Sequence, residues 1–186
     1  MTLKEFFKAY PKVAIAFSGG VDSAYLLHEA KMHGADIKAY FVKSQFQPEF
    51  ELEDARRLAD QLQVEMEIIP LDVLHQKEIC SNPANRCYFC KREIFTALRK
   101  AAEKDGYTIL LDGTNGSDDA GSRPGMRVLR EMKVLSPLQL CEMTKEEIRV
   151  LSKKAGLFTW DKPAYACLAT RIPTGTEITG ALLEKI

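Results

Sequence analysis

The chain has 186 residues, 46% of them hydrophobic, and its 26 basic and 26 acidic side chains cancel to zero net charge. That is enough for one moderately large domain with a proper core, and the neutral balance makes nucleic acid an unlikely main partner. No apolar run approaches the roughly 18–20 residues of a membrane span, and MTLKEFFKAYPK lacks the apolar stretch and cleavage site of a signal peptide, so the expected compartment is the cytoplasm.

In chain order, KVAIAF (12–17) is short, apolar and bounded, as a central parallel strand would be. Asp22 to about His33 reads as a helix closed by Gly34, and DIKAYFVK (36–43) as the next strand. Glu49 to Leu62 carries Leu52, Ala55, Leu58, Ala59 and Leu62 at helical spacing. VEMEIIP (64–70) alternates and ends in proline, so it is expected to be a strand, and EICSNPANRC (78–87) a loop. Tyr88 to Lys104 reads as a helix, YTILLDG (107–113) as a buried strand and VLSPL (134–138) as a short one. Between these strands, GTNGSDDAGSRPGMR (113–127) is polar, rich in glycine and too long for a plain connector. Thr144 with Glu147 forms a capping box for a helix over 144–156, ended by Gly156. From Phe158 onward there is little periodicity. Alternating strands and helices imply an α/β fold, a parallel sheet with helices on both faces, whose ligands sit beyond the carboxyl ends of the strands. The polar segments 18–23, 43–47 and 113–119 fall at that edge.

The segment SGGVDS (18–23) joins the first strand to the first long helix. Such a loop presents unpaired amides and the positive end of a helix dipole, so it suits an anion. Gly19 and Gly20 admit close approach, and Ser18 and Ser23 add hydroxyls. The loop is neither Walker A nor GxGxxG. Asp22 beside a phosphate is unfavourable alone, which points to a helix cap or a Mg²⁺ contact.

SGGVDS resembles the pyrophosphate loop of the N-type ATP pyrophosphatases, the PP-loop superfamily. NRCYFCK (85–91), LDGTNGSDD (111–119), RPG (123–125), SPL (136–138), TKEEIR (144–149) and WDKPAYACLATRIPTGTEIT (160–179) together resemble the LarE family, over nearly the whole chain. That resemblance implies an adenine nucleotide alpha hydrolase fold (HUP-like, Rossmann-like). It also implies an ATP-dependent sulfur transferase acting on a pyridinium carboxylate mononucleotide in nickel-pincer nucleotide biosynthesis. Thr170 stands where the family more often has serine. Family members continue past GTEIT with a second domain that helps them oligomerise. The resemblance therefore covers one ATP pyrophosphatase domain, 1–186, with the C-terminal domain absent or truncated; a homo-oligomer is expected of the full-length family.

The resemblance assigns the ATP phosphates to Ser18, Gly19, Gly20, Val21, Asp22 and Ser23, with Mg²⁺ at Asp22, and the adenosine border to Lys43 and Ser44. Gly113, Thr114 and Asn115 would lie against the nucleotide. Asp118 or Asp119 would position Mg²⁺ or a substrate amine, and Arg123 and Arg127 a phosphate, unless these are plain surface residues.

An odd count of five cysteines excludes a simple disulfide framework. Cys80 and Cys141 read as blander than the other three, Cys141 in LQLCEM as a small packed hydrophobe. Cys167 would be the thiolate that attacks an acyl-adenylate, with Arg171 favouring its charged form. Two sulfur sources stay open: Cys167 itself, consumed to dehydroalanine, or a [4Fe–4S] cluster on Cys87, Cys90 and Cys167 with an open iron. The competing classes are a cluster-bearing tRNA thiolation enzyme and a nucleotide-binding module without chemistry.

Overall fold

The computed structural model describes residues 1–118 and 124–186. Four parallel strands form one sheet: β1 (Lys12–Ala16), β2 (Asp36–Lys43), β3 (Met66–Pro70) and β4 (Leu110–Leu111), in the order β3-β2-β1-β4. The period of two along β1 and β2 divides the core. Val13, Ile15, Ala39 and Phe41 face one layer, built on α1 (Leu3–Ala9), α2 (Val21–Met32), α3 (Glu49–Leu62) and α8 (Lys145–Lys154). Ala14, Tyr40 and Val42 face the other, built on α5 (Arg86–Lys104) and α6 (Pro124–Glu131). Helices therefore cover both faces, and the fold is the expected doubly covered parallel sheet.

From β1 the chain moves outward through β2 to β3, then returns to pair β4 on the other side of β1. That reversal opens a crevice beyond the carboxyl ends of β1 and β4, where open sheets of this kind bind ligands.

Some expected elements change. The strand expected over 107–113 contracts to Leu110–Leu111. Its continuation is a single parallel bridge, Leu111 to Leu135, and Pro137 then starts the short helix α7 (Pro137–Leu140), so VLSPL is not a strand. The expected loop 78–87 holds α4 (Lys77–Cys80), and α5 begins at Arg86 rather than Tyr88. The aperiodic tail forms two 3-10 turns, Phe158–Asp161 and Leu168–Arg171, and α9 (Gly180–Leu183). A third apolar cluster anchors it: Ala169, Ile172, Ile178 and Leu183 pack on Phe46, Val73 and Ile79. Backbone bonds from Gly175 to Asn82 (2.8 Å) and from Ile178 to Cys80 (2.8 Å) seal it, which is how residue 167 reaches the α4–α5 region.

Candidate active site

The crevice is a cleft of about 740 Å³. Ser18, the Gly20–Ser23 turn, Asp112, Gly113 and Thr114 line it, and so do Arg86, Cys87, Cys90 and Cys167. The two stretches the sequence set apart, the glycine loop and the three thiols, thus share one cavity.

Gly19 holds the loop in shape. Its φ of +71° is left-handed, and a Cβ there would stand 3.1 Å from the Glu51 carbonyl and 3.2 Å from Ala55, so the residue meets α3 rather than a ligand. At Gly20 an added Cβ would meet only Ser18 Oγ, at 3.4 Å. Ser23 Oγ lies 3.1 Å from Ser18 Oγ and donates to the Gly20 carbonyl (3.3 Å). Gly20 is the N-cap of α2 and brings no side-chain cap, so the first-turn amides of Val21, Asp22 and Ser23 lack intrahelical acceptors and stand at the cleft.

Asp22 is answered from the far end of the chain. Its Oδ2 is ion-paired with Lys145 of α8, whereas its Oδ1 is buried without a hydrogen-bond partner. An orphaned anionic oxygen at a phosphate-type loop fits a Mg²⁺ contact. A second cation, Lys162, donates to the Gly19 carbonyl (3.3 Å), pairs with Asp54 (2.7 Å) and lines the cleft. Burial raises the nearby Glu51 carboxyl above its ordinary value, against the pull of Lys162.

At the exit of β4, Asp112 is buried and both its oxygens are satisfied, by Thr114 Oγ1 (2.6 Å) and Ser136 Oγ (2.6 Å). A Cβ at Gly113 would stand 2.9 Å from the Ser23 nitrogen, so this glycine lets β4's exit press against the start of α2.

On the thiol wall, Cys87 and Cys90 lie in the first turns of the 19-residue helix α5, beside Arg86. Arg86 is buried, donates to Asn82 Oδ1 and to the Ala169 carbonyl (3.0 Å), and keeps a buried Nε without a partner. It therefore ties α5 to the turn that starts after Cys167. Burial pushes the Cys90 thiol up to about 12, against the pull of Arg86. The three thiols line one cleft, but among the described residues no group of three His, Cys, Asp or Glu side chains converges to hold a metal ion. As placed, the three thiols do not form the ligand set of a [4Fe–4S] cluster.

A family model described as queuosine biosynthesis protein QueC matches residues 12–85. The uncharacterized protein slr1717 of Synechocystis sp. is 37% identical over 185 residues, covering 99% of this chain and 69% of that protein. The pyridinium-3,5-bisthiocarboxylic acid mononucleotide synthase of Lactiplantibacillus plantarum is 31% identical over 180 residues, 96% of this chain and 65% of its own length. The chain belongs to the LarE family. It spans between 65% and 69% of the length of these two relatives. NMN synthetase from Francisella tularensis superposes with a TM-score of 0.65 at 19% identity, over 87% of this chain and 70% of that one, and shares the adenine nucleotide alpha hydrolase fold.

Not every residue expected from LarE motifs meets at the cleft. Lys43 turns aside, donating to the Gln47 carbonyl (2.7 Å) and pairing with Glu49 (3.1 Å); Ser44 lines the cavity. Asn115 is buried in a turn, its Oδ1 accepting from the Ser117 amide (2.8 Å) and its own amide donating to Asp118 (3.0 Å). Asp118 itself borders the cleft. Arg127 points to solvent from α6, held by Glu131 (2.6 Å) and the Tyr88 ring. Arg171 does not border the cleft: it donates to the Ala166 carbonyl (3.0 Å) and stacks on Tyr165 (4.6 Å). The guanidinium bordering the thiols is Arg86, which the sequence reading passed over inside NRCYFCK. Asp119 and Arg123 lie outside the described residues. Cys80 is buried with its Sγ donating to the Val73 and Leu74 carbonyls (3.4 and 3.3 Å), and Cys141 packs against the larger core, as a small hydrophobe would.

Among the described residues, no helix is long and apolar enough to cross a membrane.

Proposed function

We propose that residues 1–186 are the ATP pyrophosphatase domain of an ATP-dependent sulfur transferase. Its substrate is a pyridinium carboxylate mononucleotide, in the manner of the pyridinium-3,5-bisthiocarboxylic acid mononucleotide synthases and within nickel-pincer nucleotide biosynthesis. One observation carries this reading: SGGVDS and Cys167 border the same cleft. A nucleotide module without chemistry has no need of a thiol there, and the neutral chain offers no broad basic field for tRNA.

The amides of Val21–Ser23 and the hydroxyls of Ser18 and Ser23 hold the ATP phosphates. Asp22 would hold Mg²⁺, which would neutralise polyphosphate charge when bound. The substrate carboxylate attacks the α-phosphorus, pyrophosphate leaves, and an acyl-adenylate forms. Cys167 attacks the acyl carbon as its thiolate, AMP leaves as the tetrahedral intermediate collapses, and a thioester joins substrate to protein. Loss of the Cys167 α-proton to solvent then breaks its Cβ–S bond. The sulfur stays on the substrate as a thiocarboxylate, and dehydroalanine stays on the protein.

Mass spectrometry of the chain after turnover tests the scheme. A loss of one sulfur and two hydrogens at Cys167, matched to the product formed, is expected. Product formation with an intact Cys167 would overturn the cysteine as donor.

A further inference from the structure

We infer that Lys145 is an exchangeable counter-cation of the phosphate site. In the nucleotide-free protein its ammonium occupies the place on Asp22 that a divalent cation takes when ATP arrives, and it then turns to the polyphosphate. This rests on the reading of the cleft as an ATP site.

Three observations converge. Asp22 stands in the first turn of α2, inside a loop whose amides favour anions, so its own charge opposes a polyphosphate. Only half of that charge is answered, because Lys145 pairs with Oδ2 while Oδ1 is buried without a partner. Such an oxygen is costly to leave and suits a second, closer cation.

The second observation is the position of Lys145. It is the first residue of α8, at the positive end of that helix, where a lysine is unfavourable for the helix itself and acids are preferred. Glu146 and Glu147 follow the preference; Lys145 breaks it. The local cost is explained by what the side chain reaches, Asp22, 123 residues away in sequence.

The third is how the residue is held. Its backbone is fixed, with the Lys145 amide donating to Ser117 Oγ (2.9 Å) and Thr144 capping the helix. Its side chain is 35% exposed and lines the cleft. A fixed base and a flexible stem allow the ammonium to swing from carboxylate to phosphate without moving α8. Among the described residues, the other charged groups bordering the cavity are Glu51, Arg86, Lys91, Asp112, Asp118 and Lys162. Of these, Asp112 is satisfied by hydroxyls and Lys162 by Asp54 and Gly19, which leaves both engaged elsewhere.

The test is equilibrium binding of ATP to the whole chain, in EDTA and in Mg²⁺, with no turnover required. For K145A, the loss of affinity in EDTA is expected to exceed the loss in Mg²⁺ by about tenfold or more, because a bare Asp22 repels metal-free ATP. K145Q, which keeps the stem, is expected to behave alike. Adding D22N to either variant should restore metal-free affinity to within about threefold of wild type, which also shows that the lysine variants fold. Equal losses in the two conditions, no loss, or no recovery in the double variant would overturn the exchange. Wild-type protein that binds no ATP in either condition would instead overturn the ATP reading, and the exchange with it.

Discussion

Gly113 touches the SGGVDS loop through its missing side chain: a Cβ there would stand 2.9 Å from the Ser23 nitrogen and 3.2 Å from its Cα. Both obstacles are backbone, so nothing flexible can yield. Gly113→Ala is expected to push the start of α2 off the β4 exit at a cost of about 1–3 kcal/mol, and to raise the KM for ATP in pyrophosphate release by roughly tenfold or more. Gly34→Ala is the control. With φ at +73° and nothing within 4 Å, it should cost about 1–2 kcal/mol of stability and leave the ATP KM unchanged. Equal effects of the two on KM would break the link between Gly113 and the loop.

Arg86 should separate the two halves of the reaction. It holds the Ala169 carbonyl and so the turn beginning after Cys167, but it makes no bond to SGGVDS. Arg86→Lys keeps the charge and loses the planar fork. Sulfur transfer is expected to fall by about tenfold or more while substrate-dependent pyrophosphate release stays within about twofold. A parallel fall in both would show that Arg86 acts on the whole fold rather than on the thiol wall.

Cys90 carries a pH signature. Burial raises its thiol to about 12 in the folded chain, whereas an unfolded cysteine ionises near its ordinary value of roughly 8.5. Above that ordinary value the unfolded state binds fewer protons than the folded one, so stability falls as pH rises; below it both states are protonated and the effect vanishes. Urea titrations from pH 7 to 10 should show wild type losing stability relative to Cys90→Ser above about pH 8.5. Parallel curves would refute a buried protonated thiol.

Thr144 supports α8 and hence the base of Lys145. Its hydroxyl accepts from the Glu147 amide (3.3 Å), and its own amide donates to the Glu147 carboxylate (2.8 Å). Thr144→Ala is expected to cost about 1 kcal/mol in denaturant unfolding. An unchanged midpoint would show that the helix is held by Ile148 and its packing alone.

What the sequence made legible follows from where its signals are local. The limits of β2 and α3 agree residue for residue with the expected strand and helix, because each is bounded by its own turn chemistry. The capping box at Thr144 is likewise a signal over four residues. Helix α1 went unread although Thr2 and Glu5 form the same box, because seven residues give too little periodicity to notice. The 107–113 strand was overread, since a parallel ladder needs partners on β1 and only Leu110 and Leu111 find them. In the site, SGGVDS was legible as one contiguous loop. The Lys145–Asp22 pair and the contacts of Arg86 with Ala169 were not, because each joins segments that only the folded sheet brings together.

Residue 167 rides outside every helix and strand. Lys162 fastens the approach to it at Gly19, Arg149 grips the Trp160 and Lys162 carbonyls (2.7 and 2.8 Å), and the Leu168 amide bonds Phe46 (2.9 Å). None of those fastenings involves the sulfur. A molecule that has surrendered its sulfur would keep its shape and its grip on nucleotide. Used and unused copies would then compete for the same ATP and acid, and output in a cell would follow the rate at which spent protein is cleared.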